Sequence, residues 1–174
     1  MSFATGNGTT APLGLFAAAT VGGVNLGIVT GGVSATPAIT GDDVIDVFHK
    51  LAVSYRARAS FVAGDGLIKL IRKLKSTDNQ YLWQPGLSAG QPDLLMNRPL
   101  LVAEGGPAPL AAAKTLVFGD LKTYVIADRL GLAMQRLNEL YAAKGQIGFK
   151  FNGRHDARLT DPKAIVQFKH GAAA

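Results

Sequence analysis

The chain has 174 residues and 18.2 kDa, with 18 Lys and Arg against 12 Asp and Glu, giving a net charge of +6 and a pI near 9.7. It has no cysteine, which excludes disulfides, thiol nucleophiles and Cys-type zinc sites, and no basic residue precedes Lys50, so the apolar stretch from Leu13 to Val33 lacks the charged start of an export signal. Charged residues make up 17% where about 25% is usual and mean hydropathy is +0.19, so either surface is reserved for neighbouring subunits or the 21 Gly and many Ala inflate the apolar share.

Residues 1–39 are rich in Gly, Ala, Thr and Val, with Gly22-Gly23 and Gly31-Gly32 as breakers, and predict hairpins rather than helix. Thr40 predicts an N-cap, with Asp42, Asp43 and Asp46 as helix-start carboxylates favoured by the positive end of the dipole. Val44, Val47, Phe48, Leu51, Ala52 and Tyr55 recur at three- and four-residue spacing, one apolar stripe on a helix of about four turns that packs on a sheet. Ala59–Ala63 predicts a buried strand, and Asp65 the cap of a second helix with Leu67, Leu70, Ile71 and Leu74 on one face. Pro99–Ala103 and Thr115–Phe118 predict strands on either side of a Gly105-Gly106-Pro107-Ala108-Pro109 loop. Short strands then follow at Tyr124–Ala127, Leu130–Gln135, Gln146–Phe151, Arg154–Leu159 and Ala164–Phe168. The class is α+β, with helices in the first half and antiparallel strands in the second.

Little here carries catalytic chemistry. Gly6-Asn7-Gly8-Thr9-Thr10 suggests a phosphate cradle but has no Walker lysine, and Ala11 stands where the dinucleotide pattern needs a third Gly, so it reads as a β-turn. His49, His155 and His170 lie far apart; His155 and Asp156 are adjacent, and neighbours on a strand point to opposite faces. No catalytic, cofactor-binding or metal-ligating residue is assigned. Lys69, Arg72, Lys73 and Lys75 form the densest basic cluster, read as a solvated helix face, a contact with acidic groups on a next subunit or, least of the three, a nucleic-acid site, since no aromatics are interleaved to stack bases. Lys144, Lys150, Arg154, Arg158, Lys163 and Lys169 spread a diffuse positive field along the last strands. Tyr81 and Trp83 fall on one face of an extended stretch and predict a core or interface anchor.

The most specific pattern is Leu-Ile-Arg-Lys-Leu-Lys-Ser-Thr-Asp-Asn-Gln-Tyr-Leu-Trp-Gln-Pro from Leu70, then Ala89-Gly90-Gln91-Pro92-Asp93-Leu94-Leu95 and Arg98-Pro99-Leu100-Leu101-Val102. It resembles the axial-domain segment of tailed-phage major capsid proteins, the Hong Kong ninety-seven capsid fold. Thr5–Leu15 and Thr40–His49 are similar to that family's Gly-rich hairpin and next helix, and Phe118-Gly119-Asp120 and Gly148-Phe149-Lys150-Phe151 to its later turn and strand, all in family order. The resemblance implies a phage major capsid fold: an axial domain over 33–120 with a sheet flanked by helices, a truncated peripheral domain from the Gly-rich hairpin region 1–32 and the antiparallel strands of 121–160, and a final strand in 161–174 returning to the axial domain.

It further implies a structural virion protein, not an enzyme, that self-associates into hexamers and pentamers of an icosahedral head, first in the host bacterial cytoplasm and then in the capsid. Its implied partners are copies of itself or full-length capsid protein, with non-specific contact to packaged DNA and no membrane, cofactor or small-molecule substrate. The expected subunit interface is Tyr81, Trp83 and the loop holding Gln84, Pro85 and Gln91, joined by Lys69, Arg72 and Lys73. The family's arm, extended loop and spine helix find no match. Gly145 and Asn152 stand where a crosslinking Asn and its Glu belong, so no isopeptide is expected, and the short chain is expected as monomers or small capsomer-like rings. Two alternatives are a truncated capsid protein that modulates or blocks assembly of full-length capsid protein, and a small basic nucleic-acid-binding module.

Overall fold

A computed structural model describes residues 3–17, 20–21, 24–32, 38–76, 78–83, 93–140 and 142–171. Thr20–Val21 (β1) and Val24–Asn25 (β2) pair antiparallel as the hairpin expected of the Gly-rich start. Gly27–Thr30 (β3) does not extend that hairpin. It runs parallel to Ile165–Lys169 (β10) as an edge strand of the main sheet, because each of its residues has a partner in the returning C-terminal strand. The main sheet contains six strands in the order β3, β10, Lys114–Gly119 (β7), Ser60–Ala63 (β4), Arg98–Val102 (β6) and Leu94–Leu95 (β5). β3–β10 and β4–β6 are parallel; the other three pairings are antiparallel. The sheet therefore crosses the boundary expected at residue 32.

Strand alternation sorts the core into two layers. Phe61, Ala63, Leu100, Leu116, Phe118, Val166 and Phe168 face one side, where helices cover them with Val47, Leu51, Leu67, Ile68 and Ile71. Val62, Val117 and Ile165 face the other, against Phe16, Val21, Leu26 and Leu159. Phe118 is fully buried in the first layer, stacked between Phe61 at 4.1 Å and Phe48 at 5.4 Å between ring centroids. The residue after it has to be glycine: a Cβ on Gly119 would lie 2.3 Å from the carbonyl oxygen of Ala164. Asp120 is buried next, where its carboxylate accepts from the Lys122 amide at 3.1 Å and pairs with Arg58 Nε at 3.0 Å.

The first helix, Gly41–Lys50 (α1), starts on a capping box. The Thr40 hydroxyl accepts from the Asp43 amide at 3.2 Å, and the Asp43 carboxylate accepts from the Thr40 amide at 2.8 Å. The apolar stripe predicted one four-turn helix, but the chain turns extended at Leu51 and Ala52 before a single turn, Val53–Arg56 (α2). The guanidinium of Arg56 folds back to donate to the carbonyls of Leu51 at 2.8 Å and His49 at 2.7 Å, groups a helix end leaves unsatisfied. Asp46 lies in the second turn of α1 and caps nothing. The second predicted helix is Asp65–Arg72 (α3); its N-cap is Gly64, with no side-chain cap, and Asp65 occupies the first turn instead.

Four predicted strands fuse into two, Tyr124–Leu137 (β8) and Gly148–Leu159 (β9), which form one antiparallel ribbon. Register shifts between Asp128 and Ala133 break the alternation there, which is why the text reads as shorter pieces. The ribbon's root is fastened to the second core layer: Tyr124 Oη donates to the Leu13 carbonyl at 2.6 Å, and the Leu13 amide donates to the Ala157 carbonyl at 3.1 Å. Further out, Leu132, Met134, Phe149 and Phe151 are exposed.

Candidate assembly surface

The basic cluster and the two aromatics meet through a tight return of the chain. After α3, the Ser76 amide donates to the Gln80 carbonyl at 2.8 Å and the Leu82 amide to the Leu74 carbonyl at 3.0 Å, with Asn79 in the left-handed region at φ 64°. The turn lays Tyr81 beside Lys75 and Trp83 beside Arg72, each cation 5.1 Å from its ring centroid. Aromatics are thus interleaved with the cations after all, though separated from them in sequence. Those ring faces are occupied by the protein's own cations, which leaves them poorly placed to stack bases. Arg72 also pairs with Asp93, a partner sequence reading missed because the two residues are 21 apart.

Trp83 is half-buried, packs against the helix-side core, and donates its indole N–H to the Leu94 carbonyl at 2.9 Å. Tyr81 is 54% exposed. Lys69 and Lys73 are exposed, and their side chains contact no partner among the described residues. Gln84, Pro85 and Gln91 lie outside the described residues. Two concavities flank α3. A mainly apolar one of about 320 Å³ separates it from α1, with Ile45, Ile71, Leu82, Trp83 and Met96 among its walls. The other, of about 450 Å³, is lined by Ile68, Lys69, Arg72, Lys73 and Tyr81 with Asp65.

The remaining sequence candidates do not converge. Among the described residues no group of three His, Cys, Asp or Glu side chains is arranged to hold a metal. His49 is on α1, His155 on β9 and His170 at the end of β10. His155 meets not its neighbour Asp156 but Asp128 across the ribbon, Nδ1 to Oδ1 at 2.5 Å, because the register sets those two residues opposite each other. His170 is buried: its Nδ1 donates to the Ala38 carbonyl at 3.1 Å, so Nε2 is left to accept from the Thr115 hydroxyl at 2.9 Å. Burial lowers its pKa, against the opposing pull of that carbonyl and of Asp43. In the Gly6–Thr10 turn the amides of Thr9, Thr10 and Ala11 all donate to Asn7 Oδ1 at 3.1 to 3.2 Å, so the donors a phosphate would need are already bound. Lys150, Arg154 and Arg158 are exposed along the ribbon.

The chain matches the phage capsid family over residues 1–170. A search of curated proteins finds no match. Among solved structures it is similar to the capsid of an empty GTA particle computed with C5 symmetry, with 33% identity and a TM-score of 0.82, covering 98% of this chain and 60% of that one. The capsid of the native GTA particle gives 32% identity and a TM-score of 0.83 over the same shares. The fold alone is shared with Gordonia phage Cozz, at 12% identity and a TM-score of 0.66 over 99% of this chain and 56% of that one. It is shared too with an encapsulin complex from Synechococcus elongatus, at 14% identity and a TM-score of 0.58 over 90% and 55%. The chain spans about 60% of the length of the GTA capsid chains it matches. With the family matched over nearly its whole length, and a third of its residues identical to those of a solved capsid of similar fold, the chain belongs to the phage capsid family.

Proposed function

We propose that this chain is a structural subunit of a phage-type capsid, a virion protein that associates with copies of itself or with a longer capsid chain into the pentamers and hexamers of an icosahedral shell. The observation that carries the reading is the 33% identity, over 98% of the chain, to a capsid computed with C5 symmetry. In this reading 33–120, completed by β3 and β10, is the axial unit, and the β8–β9 ribbon belongs to the peripheral one. Lys69, Arg72, Lys73, Tyr81, Trp83 and the stretch holding Gln84, Pro85 and Gln91 meet the neighbouring subunit.

Two physical features support it. A two-stranded ribbon is marginal in water by itself, and this one exposes Leu132, Met134, Phe149 and Phe151, which association would cover. Charged residues are sparse at 17%, as suits a surface largely met by other chains. Assembly takes place in the host cytoplasm, and packaged DNA is touched only through phosphates by scattered side chains such as Lys150 and Arg154. The test is sedimentation and electron microscopy of the purified chain, alone and mixed with a longer similar capsid chain. Small rings of the chain alone, or co-assembly with the longer chain, are expected. A chain that stays monomeric at its highest soluble concentration and is excluded from shells overturns the reading. DNA binding should fall steeply between about 50 and 200 mM salt, and sequence-selective binding that survives would favour a nucleic-acid module instead.

A further inference from the structure

The two helices over the sheet carry opposite charges in the same pattern. Asp42 and Asp46 on α1 are exposed, four residues apart, and bonded to no other described residue through their side chains. Lys69 on α3 and Lys73 at its C-cap repeat that spacing with the opposite sign. Residues four apart share a helix face about 6 Å apart along the axis, so each helix presents two like charges at one separation.

Most neighbouring charges are already engaged, while Lys50, exposed four residues beyond Asp46, has no side-chain partner among the described residues. Asp43 closes the capping box, Asp93 holds Arg72, and Lys75 sits over Tyr81. Asp65 lies in the first turn of α3, where the helix dipole favours a carboxylate. Both free pairs lie opposite the buried faces of their helices, Val44 and Val47 on α1 and Leu67, Ile68 and Ile71 on α3, so one chain cannot bring its own two pairs together. Beside the carboxylates Ile45 is 45% exposed, and beside the lysines lies the groove walled by Ile68 and Tyr81.

We infer that Asp42 and Asp46 of one copy dock on Lys69 and Lys73 of the next, with Ile45 entering the groove beside Tyr81. The inference rests on the shell-subunit reading above and names the partner of that reading's basic face. The contact joins two different surfaces of the chain, which is what closing a ring of identical subunits requires. Exposed ion pairs are individually weak, so the matched spacing acts mainly on register and partner choice, while burial of Ile45 and Tyr81 holds the contact.

A charge exchange tests it. The double variants Asp42→Lys with Asp46→Lys, and Lys69→Glu with Lys73→Glu, are compared with the unaltered chain by sedimentation after circular dichroism confirms folding. Each variant alone should associate at least tenfold more weakly, because like charges then face each other. An equimolar mixture should recover association, since the altered α1 of one variant now complements the altered α3 of the other, while the unaltered α1 and α3 still match. Should an exchange prevent folding, Asp42→Asn with Asp46→Asn takes its place and should weaken association without inverting charge. If the unaltered chain associates while the exchanges are silent, or the mixture does no better than its components, this contact is wrong and the shell reading stands. An unaltered chain that neither self-associates nor enters shells of a longer similar chain removes both.

Discussion

Truncating Trp83 to alanine separates what that side chain does for the fold from what it does between subunits. Three interactions are lost. One is the indole bond to the Leu94 carbonyl, worth about 0.5 to 1.5 kcal/mol net, and less if water replaces it at this partly open position. Another is the Arg72 cation above the ring, about 0.5 to 1 kcal/mol at an exposed site. The last is packing of a half-buried ring against the helix-side core, which costs less than the roughly 3 to 5 kcal/mol of a fully buried aromatic. Trp83→Ala should therefore destabilise the fold by about 2 to 3 kcal/mol and leave it folded, given a usual total of roughly 5 to 15 kcal/mol. The control is Ile71→Ala, on the fully buried face of α3, expected to cost about 2 to 5 kcal/mol with no direct effect on surface contacts. Leu70 is only half-buried and makes a poorer control. Urea unfolding gives stability, and sedimentation of the folded variants gives association. Trp83→Ala should weaken association by more than about 2 kcal/mol, as interface anchors do. If association is unchanged and stability falls as far as in Ile71→Ala, Trp83 is a core residue and its interface role is refuted.

Phe118→Ala should cost about 3 to 5 kcal/mol in denaturant unfolding, since it empties the space between Phe61 and Phe48; a loss below 1 kcal/mol would mean the layer collapses around the gap. Thr40→Ala removes one arm of the capping box and should cost about 1 kcal/mol, with helix content outside α1 unchanged. His170 has its pKa lowered on folding, so the folded chain binds fewer protons than the unfolded one. Its contribution to stability is therefore full above the unfolded pKa of about 6.5 and lost as pH falls below that value. His170→Gln should flatten the loss of stability between about pH 7.5 and pH 5.5, and an unchanged slope would assign the loss to other groups.

Local physics made much of this fold legible in the amino-acid sequence. The capping box at Thr40, the apolar face of α3 and the strands around Phe61, Leu100, Leu116 and Phe168 follow from side-chain spacing and hydrogen-bonding capacity within a few residues. So did the family likeness, which rests on short ordered motifs. What lay between distant residues did not show. The break at Leu51 leaves the hydrophobic period intact and is held by Arg56 reaching back to carbonyls the sequence does not mark. β3 reads like any Gly-rich hairpin strand until β10 arrives from the far end of the chain to pair with it. His155 finds Asp128 only because the ribbon's register sets them opposite each other, Arg72 finds Asp93 across 21 residues, and the cations meet Tyr81 and Trp83 only because the chain returns on itself at Asn79. Each of these depends on which surfaces the sheet brings together, a free energy summed over many contacts, so tertiary structure alone decided where these charges and rings would stand.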